Sequence, residues 1–132
     1  MKLIEGVDYK KVKHLTYSYE IIKKYEHQMP VYSRTFFNDY LSLTIDGKLL
    51  IGTGYMWDGA SGPAIDCSLN MRGSLVHDAL YQLIKENCLP LSFRRHADKI
   101  FYNILREDGM SWIRAKVYYR AVRMFGGKFV KA

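Results

Sequence analysis

The chain has 132 residues, 48% hydrophobic and 25% charged, with 20 Lys+Arg against 13 Asp+Glu and a formal charge of +7. Three Pro, ten Gly and 14% aromatics exclude the fibrous, low-complexity and disordered classes, and the length suits a single domain over residues 1–132. The charge is uneven, because residues 1–91 hold ten basic and ten acidic side chains and residues 92–132 hold ten and three.

Met1–Asp8 alternates charged and apolar residues, so it reads as no signal peptide, and no apolar run approaches the roughly 18–20 residues that span a bilayer. A cytoplasmic protein is expected. Residues 1–54 form a β-rich segment. Lys13–Ile21 alternates in β-formers, with an amphipathic helix running into Lys24 as the other reading. Residues 40–45 and 48–55 flank Asp46-Gly47, a hairpin signature in which both turn residues take positive φ, and Leu41, Leu43 and Ile45 share one face.

Residues 55–69 are the Gly-rich stretch that follows, part of an irregular run from Gly52 to Pro63 with four glycines, one proline and Asp58. Such a loop can turn carbonyls and a carboxylate toward a hard cation such as calcium, or simply connect hairpin to helix. Residues 70–127 switch to helical periodicity. The helices run from about Asn70 to Lys85, from an N-cap at Ser92 to about Arg106, and from an N-cap at Ser111 to Phe125. Asp108-Gly109 and Gly126-Gly127 are the stops, by the left-handed conformation glycine tolerates. On the third helix Trp112, Ala115, Tyr119, Val122 and Met124 or Phe125 recur at core spacing. The expected fold class is α+β, an N-terminal β-hairpin region packed on a three-helix core. Cys67 and Cys88 are too few for a disulfide framework or a structural zinc site and read as reduced thiols.

Chemistry concentrates on the first two helices. His77 and Tyr81 are four apart and share a face, so both can reach Asp98 on an antiparallel neighbour that also carries Phe101 and Leu105. A carboxylate there fixes the imidazole tautomer and raises its basicity, making His77 a general base oriented by Asp98. Asp78 lies about 100° round the helix from His77 and can instead serve a cation held by the Gly-rich loop. His96 is two residues from Asp98, points the other way and reads as surface, and His14 and His27 have no partner spacing.

Trp57-Asp58-Gly59-Ala60-Ser61-Gly62-Pro63, His77-Asp78-x-x-Tyr81, Ala97-Asp98-x-x-Phe101 and the run Tyr118–Gly126 resemble the secretory-type phospholipase A(2) superfamily. The bacterial and fungal branch and the phospholipase domain of parvovirus capsids are nearest in pattern, over about residues 55–126. Over most of its length the chain also resembles a family of small uncharacterised tailed-bacteriophage proteins, which implies the host cytoplasm or the virion as its location.

The phospholipase resemblance implies an antiparallel helix pair bearing His77 as base, Asp98 as its orienting carboxylate and Tyr81 as the tyrosine bonded to Asp98. It further implies calcium held by Asp78, Asp58 and loop carbonyls near Trp57 and Gly59, and hydrolysis of a glycerophospholipid sn-2 ester. Segment 1–54 has no counterpart in that pattern, nor do two cysteines match its disulfides.

The basic surface, with Arg94, Arg95, Lys99, Arg114, Lys116, Arg120 and Arg123, then suits a phospholipid membrane or another polyanion, including virion or host proteins. It also reads as a solvated helix face, and no nucleic-acid recognition motif accompanies it. A second reading is a non-catalytic phage structural or host-interaction protein in which His77, Asp78, Tyr81 and Asp98 hold two helices together. A third, a metal phosphohydrolase with His14 or His27 as first ligand, requires an all-helical fold, whereas both histidines sit in extended-looking sequence.

Overall fold

A computed structural model describes residues 7–12, 19–29, 36–37, 40–44, 46–57 and 69–130. The chain forms two compact units, Met1–Gly59 and Ala60–Ala132, the first built from strands and the second from helices, so its class is α+β.

The first unit holds two antiparallel sheets. One orders β1 (Tyr9–Lys11), β2 (Tyr19–Ile21) and β7 (Met56–Trp57) as β1-β2-β7. The extended reading of residues 19–21 is therefore the observed one, while residues 13–18 lie outside the described residues. Register places Lys10 opposite Glu20, where the side chains form an ion pair at 3.2 Å, and Tyr19 opposite Trp57. The rings of Tyr9, Tyr19 and Trp57 meet at centroid distances of 5.4–5.7 Å, an edge and tilted arrangement suited to aromatic quadrupoles.

The other sheet orders β3 (Tyr25–Gln28), β6 (Lys48–Ile51), β5 (Leu41–Leu43) and β4 (Phe36–Phe37) as β3-β6-β5-β4. Leu41 faces Ile51, Leu43 faces Leu49, and Tyr25 faces Ile51 from the other side. These five side chains are buried, as the period of two demands of one sheet face.

The hairpin lies where the Asp-Gly pair places it, but with a different turn. The Thr44 amide bonds the Lys48 carbonyl and the Gly47 amide bonds the Thr44 carbonyl, with Gly47 at φ +89°. That is a three-residue connection closed by one left-handed glycine. Asp46 does not share the positive φ, and Ile45 lies outside the described residues.

The second unit contains α1 (Met71–Lys85), α2 (Arg94–Glu107) and α3 (Trp112–Phe125). α1 and α2 are antiparallel: Arg72 pairs with Asp108 and Glu107 at one end, and Tyr81 meets Arg94 at the other. α3 returns along α2, with Tyr118 against Phe101 and Arg123 against Asp98.

α1 ends on a left-handed residue, Asn87 at φ +63°, and α2 on Gly109 at +100°. In each case an amide from beyond the end reaches back five residues, from Cys88 to Leu83 and from Met110 to Leu105, which satisfies the last carbonyls.

Three details depart from the pattern reading. Ser92 is not an N-cap; Pro90 is the extended residue, a tight 3₁₀ turn covers Leu91–Phe93, and α2 continues from it. Ser111 does cap α3, accepting from the Arg114 amide. Gly126 ends α3 without a left-handed turn, since its φ of −73° leads into a second 3₁₀ turn, Gly126–Phe129.

The third departure concerns the apolar positions of α3. Of the expected core set only Ala115 is fully buried, Tyr119 and Val122 are half-buried, and Trp112, Met124 and Phe125 are exposed. Among the described residues α3 packs chiefly along α2, which covers the arc centred on Ala115, and Ala115 joins Phe101, Leu105 and Met110 in a buried cluster.

Candidate active site

The α1–α2 seam brings together the residues that the helix spacing selected. Gly73 lets the two helices approach closely, because a Cβ there would lie 3.1 Å from the Phe101 ring and 3.3 Å from Leu105. One turn further along α1, the rings of His77 and Tyr81 meet at a tilt with centroids 4.0 Å apart, and Phe101 backs the imidazole at 4.9 Å.

Asp98 faces this pair with no exposed surface. Its Oδ1 lies 2.7 Å from His77 Nε2 and accepts a hydrogen bond from the Tyr81 hydroxyl. Its Oδ2 accepts from Arg123 Nη1 at 2.7 Å. Both oxygens of the buried charge are thus satisfied, as such a group requires.

Burial pushes the Asp98 carboxyl upward, but hydrogen bonds from His77, Tyr81 and Arg123 outweigh it and hold the group below the ordinary carboxylate range. The carboxylate is therefore ionised and accepts from His77, which places the imidazole proton on Nε2. Nδ1 keeps its lone pair, and it has no hydrogen-bond partner among the described residues. Desolvation lowers the His77 pKa against the opposing pull of Asp98, and Arg94 lowers it further. A neutral imidazole with an unprotonated Nδ1 can accept a proton from a water or a hydroxyl.

Two arginines complete the network. Arg94, at the start of α2, donates from Nε to the Tyr81 oxygen at 3.1 Å and from Nη2 to the Val122 and Arg123 carbonyls at 2.7 and 2.8 Å. Burial, then the Asp98 hydrogen bond, raises the Tyr81 pKa well above its ordinary value, so Tyr81 stays a protonated donor.

Gly126 sits where a Cβ would lie 2.6 Å from the Tyr81 oxygen and 3.2 Å from Arg94 Nη2. Close approach, not a left-handed turn, is what this glycine provides. Arg94 and Arg123 are thus parts of the site and not of the basic surface. Helix spacing alone places Arg94 on the face of Asp98, four residues away.

The remaining expected residues divide as follows. Asp78 is half-buried on α1 beside the base. Trp57 is buried in β7 of the strand unit, and Asp58 and Gly59 lie outside the described residues. Among the described residues no three His, Cys, Asp or Glu side chains group closely enough to hold a metal ion.

His96 is exposed, with its ring 5.5 Å from that of Phe93. His27 lies on β3 stacked with Tyr25, and His14 lies outside the described residues. Cys88 is a free thiol, and Cys67 also lies outside the described residues. Arg95, Lys99, Arg114, Lys116 and Arg120 are exposed. No helix among the described residues is long and apolar enough to cross a membrane.

Comparison with known proteins gives one family: residues 39–122 match the profile described as DUF1353, a protein of unknown function. No curated protein and no solved structure matches the chain.

Proposed function

We propose that the chain, which belongs to the DUF1353 family, is a calcium-dependent hydrolase of glycerophospholipid sn-2 esters. The observation that carries this reading is the buried Asp98 carboxylate 2.7 Å from His77 Nε2, which leaves Nδ1 as the basic atom of a neutral imidazole. Supporting it is the sequence resemblance in Trp57–Pro63, His77-Asp78-x-x-Tyr81 and Ala97-Asp98-x-x-Phe101.

In the reaction, His77 Nδ1 takes a proton from water as the water oxygen bonds to the acyl carbon. Asp98 stabilises the imidazolium that forms, and Tyr81 and Arg123 hold Asp98 in place. The imidazolium then returns its proton to the departing glycerol oxygen as the ester C–O bond breaks, giving a fatty acid and a lysophospholipid.

In the sequence resemblance the calcium donors are the carboxylates of Asp78 and Asp58 and main-chain carbonyls at Trp57 and Gly59, an all-oxygen set of the kind a hard cation takes. Bound there, calcium would supply positive charge for the substrate phosphate and the developing oxyanion. The exposed cations Arg95, Lys99, Arg114, Lys116 and Arg120 would face an anionic lipid surface.

The test is turnover of phospholipid vesicles by wild type and by His77→Gln, with and without a calcium chelator. Loss of hydrolysis in the variant at unchanged melting temperature supports the reading, and equal turnover sinks it. Calcium should raise the melting temperature of wild type and not of Asp78→Ala.

A further inference from the structure

We infer that the outer face of α3 is a membrane-docking surface that inserts an apolar ridge into the headgroup region of an anionic bilayer. The inference deepens the lipid reading and rests on it for the choice of lipid over other polyanions.

At 100° per residue, Ile113, Val117 and Met124 fall within an arc of about 40° centred directly opposite Ala115. They are 61%, 63% and 74% exposed, so they form an unburied aliphatic stripe. Arg120 and Lys116 flank it on one side and Arg114 on the other, all exposed. Exposed Trp112 opens the helix, and exposed Phe125 and Phe129 close it.

A narrow apolar ridge flanked by cations on both sides is the build of a helix that lies in a membrane interface. The apolar side chains enter the acyl boundary, and the guanidinium and ammonium groups meet lipid phosphates. α3 contains four cations and no acid.

A second copy of the chain fits this face poorly, since pairing α3 with α3 would set those cations against one another. A nucleic acid would use the cations and leave the ridge exposed. The hydrogen bonds from Arg94 and Arg123 fix the end of α3 to Asp98, so a docked α3 would hold the His77 site at a set place relative to the lipid.

Trp112 is a built-in reporter, because the chain has two tryptophans and the other, Trp57, is buried. The experiment mixes the full chain, without calcium, with vesicles of phosphatidylglycerol and phosphatidylcholine, or of phosphatidylcholine alone. Sedimentation and quenching of Trp112 by brominated acyl chains are read. His77→Gln is included as a variant that cannot hydrolyse but should still dock.

Expected are binding to the anionic vesicles with bromine quenching, and a loss of about tenfold in partitioning for Ile113→Ser/Val117→Ser at both low and high salt. Lys116→Gln/Arg120→Gln should lose about tenfold at low salt and little at high salt. Absence of vesicle binding by the wild type overturns the inference. So does binding without quenching that ignores the serine variants, or a dimer in size-exclusion chromatography that those variants dissociate. Equal capture by duplex DNA, insensitive to Ile113 and Val117, overturns it in favour of a nucleic-acid face. Hydrolysis of a monomeric short-chain lipid tests the ester chemistry without any docking, so the two readings can fail separately.

Discussion

Arg123→Met isolates the electrostatics of the site from its chemistry. In the wild type Arg123 Nη1 donates to Asp98 Oδ2 at 2.7 Å, and Asp98 is fully buried while the Arg123 side chain keeps 33% of its surface exposed. The variant fills much of the same volume and removes the charge. Stranding a wholly buried carboxylate costs about 3–5 kcal/mol. Because Arg123 is itself one-third exposed, water can take part of its place beside Oδ2 in the variant, so the loss should be nearer that of one charge-assisted hydrogen bond, about 1.5–3 kcal/mol.

A double-mutant cycle separates this cause from lost packing. Asp98→Asn alone removes the acceptor of His77, Tyr81 and Arg123 and should destabilise; placed on Arg123→Met it removes the stranded charge and should restore about 1 kcal/mol or more. Urea denaturation of the four proteins at pH 7 reads both steps. A loss below about 0.5 kcal/mol for Arg123→Met, or an Asp98→Asn step equally destabilising in both backgrounds, would refute the buried-pair account.

Acid should weaken the fold in two stages. The folded-state pKa of His77 and of Asp98 both lie below their ordinary values of 6.5 and 3.8, so each contributes stability above its ordinary value and loses it as pH falls toward its folded value. Denaturation midpoints measured from pH 8 to pH 3 should fall first below 6.5 and again below 3.8, and His77→Gln should lack the first fall. The same depression should set the acid limb of ester hydrolysis below pH 6.5, read from a pH–rate profile. Tyr81→Phe removes a donor to Asp98 and leaves Arg94 Nε unpaired, which should cost about 1–2 kcal/mol in urea denaturation. Gly126→Ala would drive a Cβ to 2.6 Å from the Tyr81 oxygen, held from both sides by Asp98 and Arg94; a loss of about 1–3 kcal/mol is expected, and thermal melting checks it.

The parts of the site that depend on helix spacing are legible in the chain itself. Residues 77 and 81 fall on one face because a helix repeats every 3.6 residues, and Asp98 meets them because a short connection makes α1 and α2 antiparallel. The arginines are less legible for a physical reason: the ten basic residues of 92–132 look alike in a charge count. What distinguishes two of them is the buried Asp98–Tyr81 pair, with Arg123 donating to Asp98 and Arg94 to Tyr81. Arg94 lies one turn from Asp98 on the same helix face, a spacing that could have singled it out, and its bonds go to the Tyr81 oxygen and the last turn of α3. Arg123 needed the path of α3 as well, which periodicity does not supply. Gly126 was open to a similar misreading, since a glycine at a helix end suggests a left-handed stop equally well whether or not a tyrosine hydroxyl occupies the space of its Cβ.

The exposed stripe of α3 follows from the same distinction between periodicity and neighbours. Ala115 joins Phe101, Leu105 and Met110, and Val122 and the half-buried Tyr118 pack against that cluster, where α2 already supplies bulk and the small Ala115 lets the helices close. The larger aliphatic side chains are therefore on the other side, with Ile113, Val117 and Met124. A reading by hydrophobicity alone weights the outer arc more heavily and turns the helix round. Arg94 of α2 donates to the Val122 and Arg123 carbonyls in the last turn of α3, and Arg123 of α3 donates back to Asp98 of α2. The two arginines that look like surface charge are thus part of what leaves the apolar ridge available: they secure α3 through its end, so that its outer face need not be buried to keep the helix in place.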